Sequence, residues 1–183
     1  MTTPEPQPTP LARDERLPVG VIVERRKARN PWDDFVWRAV ALVPGAAPPA
    51  PWSVVRESEG ATQYFAGTFT LELHPRETGL YRENLQAKTP SAYVVLVRDD
   101  KAEPHGMVVR HVTVSPGDAE AYMDSVSTVD PVPMPDIVRA WLEDYVAAFH
   151  VEQEFRKRKR KPHDPRKGFG LGSGSNDYGP SDE

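Results

Sequence analysis

An α+β domain, built on an antiparallel β-sheet or partly closed barrel of about six strands and packed by a C-terminal amphipathic helix, is what this 183-residue sequence predicts. Three observations carry that expectation. Runs rich in β-branched residues recur along the chain with turn residues between them. In YFAGTFTLEL, Phe65, Phe69, Leu71 and Leu73 alternate with Tyr64, Thr68, Thr70 and Glu72, the period of a strand with one buried and one wet face. Near the end, MPDIVRAWLEDYVAAFHVEQEF places Val138, Trp141, Leu142, Tyr145 and Phe149 on one broad helical stripe.

Taken in order, LPVGVIVERR and FVWRAVALV read as the first two strands, joined by KARNPWDD. PWSVVRE follows the proline-rich turn PGAAPPA as a third, and YFAGTFTLEL is the fourth. HPRETGLYRENL reads as a short helix, with Pro75 at its first position and Leu80, Tyr81 and Leu85 as its apolar face. YVVLVR and MVVRHVTV complete six strands, with DDKAEPHG as a long hairpin loop between them. In SPGDAEAYMDSV, Ser115 is an N-cap, and Ala119, Tyr122, Met123 and Val126 recur at helical spacing. The last helix starts at Pro135 with Asp136 against its dipole.

The ends are different in kind. Five of the 20 prolines fall in the first eighteen residues with almost nothing apolar beside them, so residues 1–16 read as a disordered arm. Residues 17–156 form the single expected domain, and 157–183 a basic and then Gly/Ser-rich disordered tail. Residues 1–155 carry 15 Lys and Arg against 23 Asp and Glu, a balance of −8, whereas 156–167 holds eight basic residues against Asp164 alone. The start shows no secretory signal, and no run approaches the roughly 18–20 apolar residues of a membrane span, so the expected location is cytoplasmic, without membrane contact. The absence of cysteine excludes disulfides, thiolate nucleophiles and cysteine-held metals.

The stretch NPWDDFVWRAV sets two adjacent carboxylates between two tryptophans. Asn30-Pro31 is a turn or helix-start signature, which makes Asp33 and Asp34 solvated turn residues before it makes them an acid/base pair. Trp37 falls within a strand and reads as core, whereas Trp32, at a polar turn, suits a partner surface. The five histidines have no metal-site spacing: His105 and His111 are six residues apart in or near one strand, His74 reads as a helix cap, His150 sits at a helix C-terminus and His163 is in the tail. No HExxH, GxSxG or Walker loop occurs, and GFGLGSG follows a charge run rather than a strand. These readings assign no catalytic, cofactor-binding or metal residue and no cofactor. The run Arg156, Lys157, Arg158, Lys159, Arg160 and Lys161 can bind phosphate groups, yet without interleaved aromatics it reads first as a solvated tail, with nonspecific nucleic-acid contact as the alternative.

The ordered segments, from LPVGVIVERR through NPWDDFVWRAVALVPG and YFAGTFTLELHPRETGLYRENL to VPMPDIVRAWLEDYVAAFHVEQEFRKRKR, resemble in order a family of small proteobacterial proteins built on a domain of unknown function. The resemblance spans about residues 17–161. It implies a gene neighbourhood beside molybdenum-dependent formate dehydrogenases, and it transfers no catalytic residue. The resulting expectation is a noncatalytic accessory or assembly factor acting by protein–protein binding, with a molybdoenzyme subunit or another assembly factor as partner. The partner-facing candidates are Trp32, Asp33, Asp34 and Arg38 with the basic run 156–161. A nucleic-acid-binding protein using that run and a small-ligand enzyme using Asp33, Asp34 or Arg38 are the alternatives.

Overall fold

The computed structural model describes residues 13–29, 32–45, 48–123 and 127–151. Seven strands occur among them: β1 (Glu15–Lys27), β2 (Phe35–Pro44), β3 (Ser53–Ser58), β4 (Ala61–Leu73), β5 (Ser91–Arg98), β6 (Met107–Thr113) and β7 (Ser127–Pro133). They form two antiparallel sheets, a four-stranded one in the order β2-β1-β4-β3 and a three-stranded one in the order β6-β5-β7. The fold is thus mostly β, with few helices and two unclosed sheets, rather than one antiparallel sheet or partly closed barrel of about six strands. Most of the expected arm and the whole basic run 156–161 lie outside the described residues.

The strand absent from the expectation is β7. Its sequence STVDPVP carries Pro131 and Pro133, which lack a backbone N–H and mark a segment as non-strand unless it lies at an edge. β7 is such an edge, paired only with β5 in its sheet. Asp130 of β7 accepts a 2.8 Å hydrogen bond from the backbone N–H of Ala39 in β2, which ties the two sheets together.

Both sheets turn their apolar faces to one core. Alternation buries Val19, Val21 and Val23 of β1, which meet Leu71 and Leu73 of β4 and Val94, Leu96 and Val132 from the other sheet. At about 25 cal/mol per Å² of apolar area, such fully buried Val and Leu side chains each stabilise by roughly 1.5–3 kcal/mol. The bulges carry their extra residue in the neighbouring strands, Val40 in β2 and Ala66 in β4, so β1 keeps its alternation while its partners bend.

Three helices flank the sheets. Pro75–Glu77 is a single 3-10 turn that leads into α1 (Thr78–Gln86), so the helical start is tighter than expected. His74 stands at that turn's N-cap but makes no capping hydrogen bond with its side chain. Its Nδ1 instead lies 3.1 Å from Asp14 Oδ1. In α2 (Pro116–Glu120) the Ser115 hydroxyl accepts from the Asp118 N–H, the expected cap. That helix stops after five residues, with Tyr122 and Met123 beyond it, and Val126 lies outside the described residues. α3 (Asp136–Phe149) buries Val138, Leu142 and Tyr145 as its stripe requires. It packs on α1, with the Tyr81 and Tyr145 rings 6.3 Å apart, and the Tyr145 hydroxyl donates to the Arg13 carbonyl at 2.9 Å. No helix among the described residues is long and apolar enough to cross a membrane.

Candidate functional site

The inner face of the four-stranded sheet continues past the core, and there its side chains change from aliphatic to aromatic and charged. Val23 is fully buried; two residues on, Arg25 projects on the same side and is half-buried. Register places Arg25 opposite Trp37, Lys27 opposite Phe35 and Val23 opposite Tyr64. The Arg25 guanidinium carbon accordingly lies 4.6 Å from the Phe35 ring centre, 5.6 Å from Tyr64 and 5.9 Å from Trp37, within cation–π range of all three.

A histidine from the other sheet completes the cluster. The β5–β6 loop folds back on itself, the Asp99 N–H donating to the Gly106 carbonyl at 3.0 Å and the Gly106 N–H to the Ala102 carbonyl at 2.7 Å. Gly106 has φ +65°, a conformation that a residue with Cβ resists, and it aims the preceding His105 at the aromatic rings. The imidazole centre is 4.5 Å from Tyr64, 5.4 Å from Trp37 and 5.5 Å from Trp52. Three rings thus surround one imidazole. Burial, and then the Arg25 charge, hold the His105 pKa below the ordinary histidine value. Trp52 reaches this position through φ +60°, an unusual backbone for a bulky residue that costs roughly 1–2 kcal/mol. The contacts of its indole with Trp37 and His105 offset that cost.

Beside these rings opens a cleft of about 460 Å³. It is lined by Trp32, Asp33, Asp34 and Phe35 from the first hairpin, by Arg98, Asp100 and His105 from the end of β5 and the loop after it, and by Arg25 and Trp37. Trp32 is 89% exposed. Asp33 and Asp34 are exposed as well, in the loop that the Ala28 N–H closes by donating to the Asp34 carbonyl at 3.0 Å. The turn reading of this stretch and its reading as a surface therefore describe the same residues. Asn30 and Pro31 lie outside the described residues.

The candidates named from the sequence separate into three groups. Trp32, Asp33 and Asp34 line the cleft together. Arg38 is exposed on the opposite face of the same hairpin, so it does not converge with the two aspartates on one reacting centre. The run Arg156–Lys161 lies outside the described residues. Trp37, expected in the core, is only half-buried and packs against the core's edge. Arg25, Trp52, Tyr64 and His105 escaped the sequence reading because they come from four separate elements; the φ-permissive Gly106 after His105 was the one local signal.

The other histidines among the described residues are occupied elsewhere. His111 Nε2 lies 2.7 Å from Asp118 Oδ2, and its ring stacks on Tyr122 at 5.1 Å. His150 contacts the Thr78 hydroxyl at 3.2 Å and Arg82 at 3.3 Å. Among the described residues no group of three or more His, Asp or Glu side chains gathers as a metal site would require. A separate apolar hollow of about 450 Å³ lies over the outer face of β1, lined by Pro18, Gly20, Ile22 and Phe65. Gly20 makes room for the Phe65 ring there, since a Cβ would stand 2.6 Å from it.

A family model described as "Protein of unknown function (DUF3305)" matches residues 18–159, most of the chain. No curated protein and no solved structure matches it.

Proposed function

The chain belongs to the DUF3305 family, whose description assigns no activity, and from its geometry we propose that it is a noncatalytic accessory protein that works by binding another protein through the aromatic cleft. One observation carries this reading: Trp32, 89% exposed, lines one cleft together with Arg25 and Trp37. Interfaces concentrate their binding energy in Trp, Tyr and Arg anchors, and an exposed tryptophan can bury about 150–250 Å² against a partner. Asp33, Asp34 and Asp100 on the rim, with Arg98, provide the polar border that fixes register.

The first partner to test is a molybdenum-dependent formate dehydrogenase or one of its assembly factors, which the family resemblance implies. Tagged protein is used to capture partners from host cells respiring formate. Trp32→Ala is expected to lower recovery of the partner by tenfold or more while the melting temperature holds. Equal recovery with Trp32→Ala would remove the cleft from the binding account. Fully active, metallated formate dehydrogenase in a strain lacking the protein would remove the proposed partner.

A further inference from the structure

We propose that the outer face of the β1–β2 hairpin is a second docking surface, a groove that takes an acidic segment of a partner protein. Strand alternation sends Arg26 of β1 and Val36, Arg38 and Val40 of β2 to the face opposite the aromatic cleft, in the register Arg26 opposite Val36 and Glu24 opposite Arg38. At the hairpin's end Arg29 joins them around a hollow of about 630 Å³, and Lys27, paired with Phe35 on the other face, borders it.

Its only carboxylate is already engaged. Glu24 accepts from Gln63 Nε2 at 2.9 Å and from Arg26 Nε at 3.1 Å, with Arg26 Nη2 at 2.9 Å from the same oxygen. These partners, Gln63 foremost, hold its pKa below the ordinary value against the effect of burial. Lys27, Arg29 and Arg38 make no ion pair among the described residues. Cations that make no ion pair among the described residues, with Arg38 only partly balanced by the field of Asp130, line one hollow and repel each other, within a stretch, residues 1–155, whose net charge is −8. An anionic occupant relieves that repulsion.

The floor selects among anions. Val36, 38% exposed, and Val40 set aliphatic surface between the guanidinium groups, and no aromatic ring lines this hollow. Trp32 and Phe35 belong to the cleft on the other face. Single-stranded nucleic acid is held by cations together with aromatic platforms on which bases stack, and this groove supplies the cations alone. A peptide that alternates carboxylates with aliphatic side chains matches both features. The groove does not use Trp32, so it stands or falls separately from the aromatic cleft.

The test uses the full chain and a fluorescein-labelled peptide of repeated Glu-Glu-Leu, with binding read by anisotropy at low and at physiological salt. Arg29→Glu with Arg38→Gln, and separately Lys27→Glu with Arg29→Glu, are expected to weaken binding about tenfold or more, consistent with the loss of close charge pairs. Both are expected to keep the parent's melting temperature. Should the first pair unfold the chain through the field of Arg38 on Asp130, the second pair, on exposed side chains, decides. Trp32→Ala, and a variant with the six basic residues 156–161 changed to Ser, are expected to stay within about threefold of the parent, because neither alters the groove. The proposal is overturned if the parent does not bind the peptide, if the hairpin variants bind as the parent does, or if the loss follows the 156–161 variant instead. It is equally overturned if a single-stranded DNA probe of matched charge binds more tightly than the peptide and is lost with the hairpin variants.

Discussion

Asp130 is the only buried carboxylate among the described residues, 7% exposed, and its single task is to accept the Ala39 N–H across the gap between the sheets. Burial pushes its pKa up, partly opposed by that N–H and by Arg38. The folded state therefore holds the proton more tightly than the unfolded chain. Between the ordinary Asp value and the raised one, stability falls as pH rises, and the cost of the charge is fully present above that window. Asp130→Asn keeps an acceptor and removes the charge, so urea denaturation is expected to show an unchanged or higher stability at neutral pH and a flatter dependence from the ordinary Asp range upward. Asp130→Ala leaves the Ala39 N–H unsatisfied and is expected to cost about 1–3 kcal/mol. His105 has the opposite sign. Its pKa is lowered, so the unfolded chain binds the proton first, and stability is expected to fall as pH drops from the ordinary histidine value toward the folded one. An NMR titration placing His105 at or above the ordinary value would mean that burial and the Arg25 charge do not govern it. The two tryptophans of the opening loop separate in the same way. Trp37→Ala removes a ring packed on the core's edge and is expected to cost about 2–4 kcal/mol, somewhat less than a fully buried aromatic would. Trp32→Ala is expected to change stability by no more than about 0.5 kcal/mol.

At the scale of elements, one buried side chain joins three of them. Asn84 on α1, 3% exposed, donates to the Ser91 carbonyl at the start of β5 and to the Val114 carbonyl just past β6, each at 2.7 Å. It also accepts from the Ser91 N–H at 3.0 Å. Asn84→Leu would fit the apolar surroundings yet strand these backbone groups. A loss of about 3 kcal/mol or more in chemical denaturation is the expected result, and a loss under about 1 kcal/mol would mean that solvent replaces the amide. Asn84 also shows what a sequence conceals, because nothing around it in YRENLQ separates a solvated asparagine from a buried one. α3 was legible because a buried face of regular period needs no distant information. β4 was legible as a strand, but the extra residue Ala66 breaks its period. Tyr64, expected on the wet face, thus joins the inner aromatic cluster, and Phe65, expected beside Phe69 and Leu71, turns to the outer hollow. β7 was hidden because Pro131 and Pro133 break the strand pattern, and their tolerance depends on an edge position that only topology supplies. The second helix was read too long because helical spacing in AEAYMDSV continues after the chain has turned at Ala121. Half of the cleft was legible, namely Trp32, Asp33 and Asp34, because they are contiguous. The other half, Arg25 and His105, is assembled by register and by a loop from the second sheet.

Across the whole molecule, the folded unit and the positive charge are separable. α3 ends at Phe149, the His150 N–H closes its last turn on the Val146 carbonyl at 2.9 Å, and the His150 ring rests on Thr78 and Arg82. The last fully buried stripe residue is Tyr145, and the sequence after Phe155 has no apolar period with which to add to the core. A chain ending after Phe155 is therefore expected to melt within about 2 °C of the full chain, the shift that well under 1 kcal/mol produces in a protein of this size. The same cut removes eight Lys and Arg with four Asp and Glu, taking the formal charge from −4 to −8. Polyanion binding that depends on the run 156–161 should vanish with it, and steeply salt-dependent retention of DNA by the full chain should be absent from the shortened one. Binding of the acidic peptide by the hairpin groove should survive, weakened only by the added long-range repulsion, which screening at physiological salt largely removes. A fall of more than about 5 °C would place part of the stabilising core beyond residue 155. Unchanged retention of DNA by the shortened chain would move the polyanion surface onto the folded unit and make the Arg29 and Arg38 face the first place to look for it.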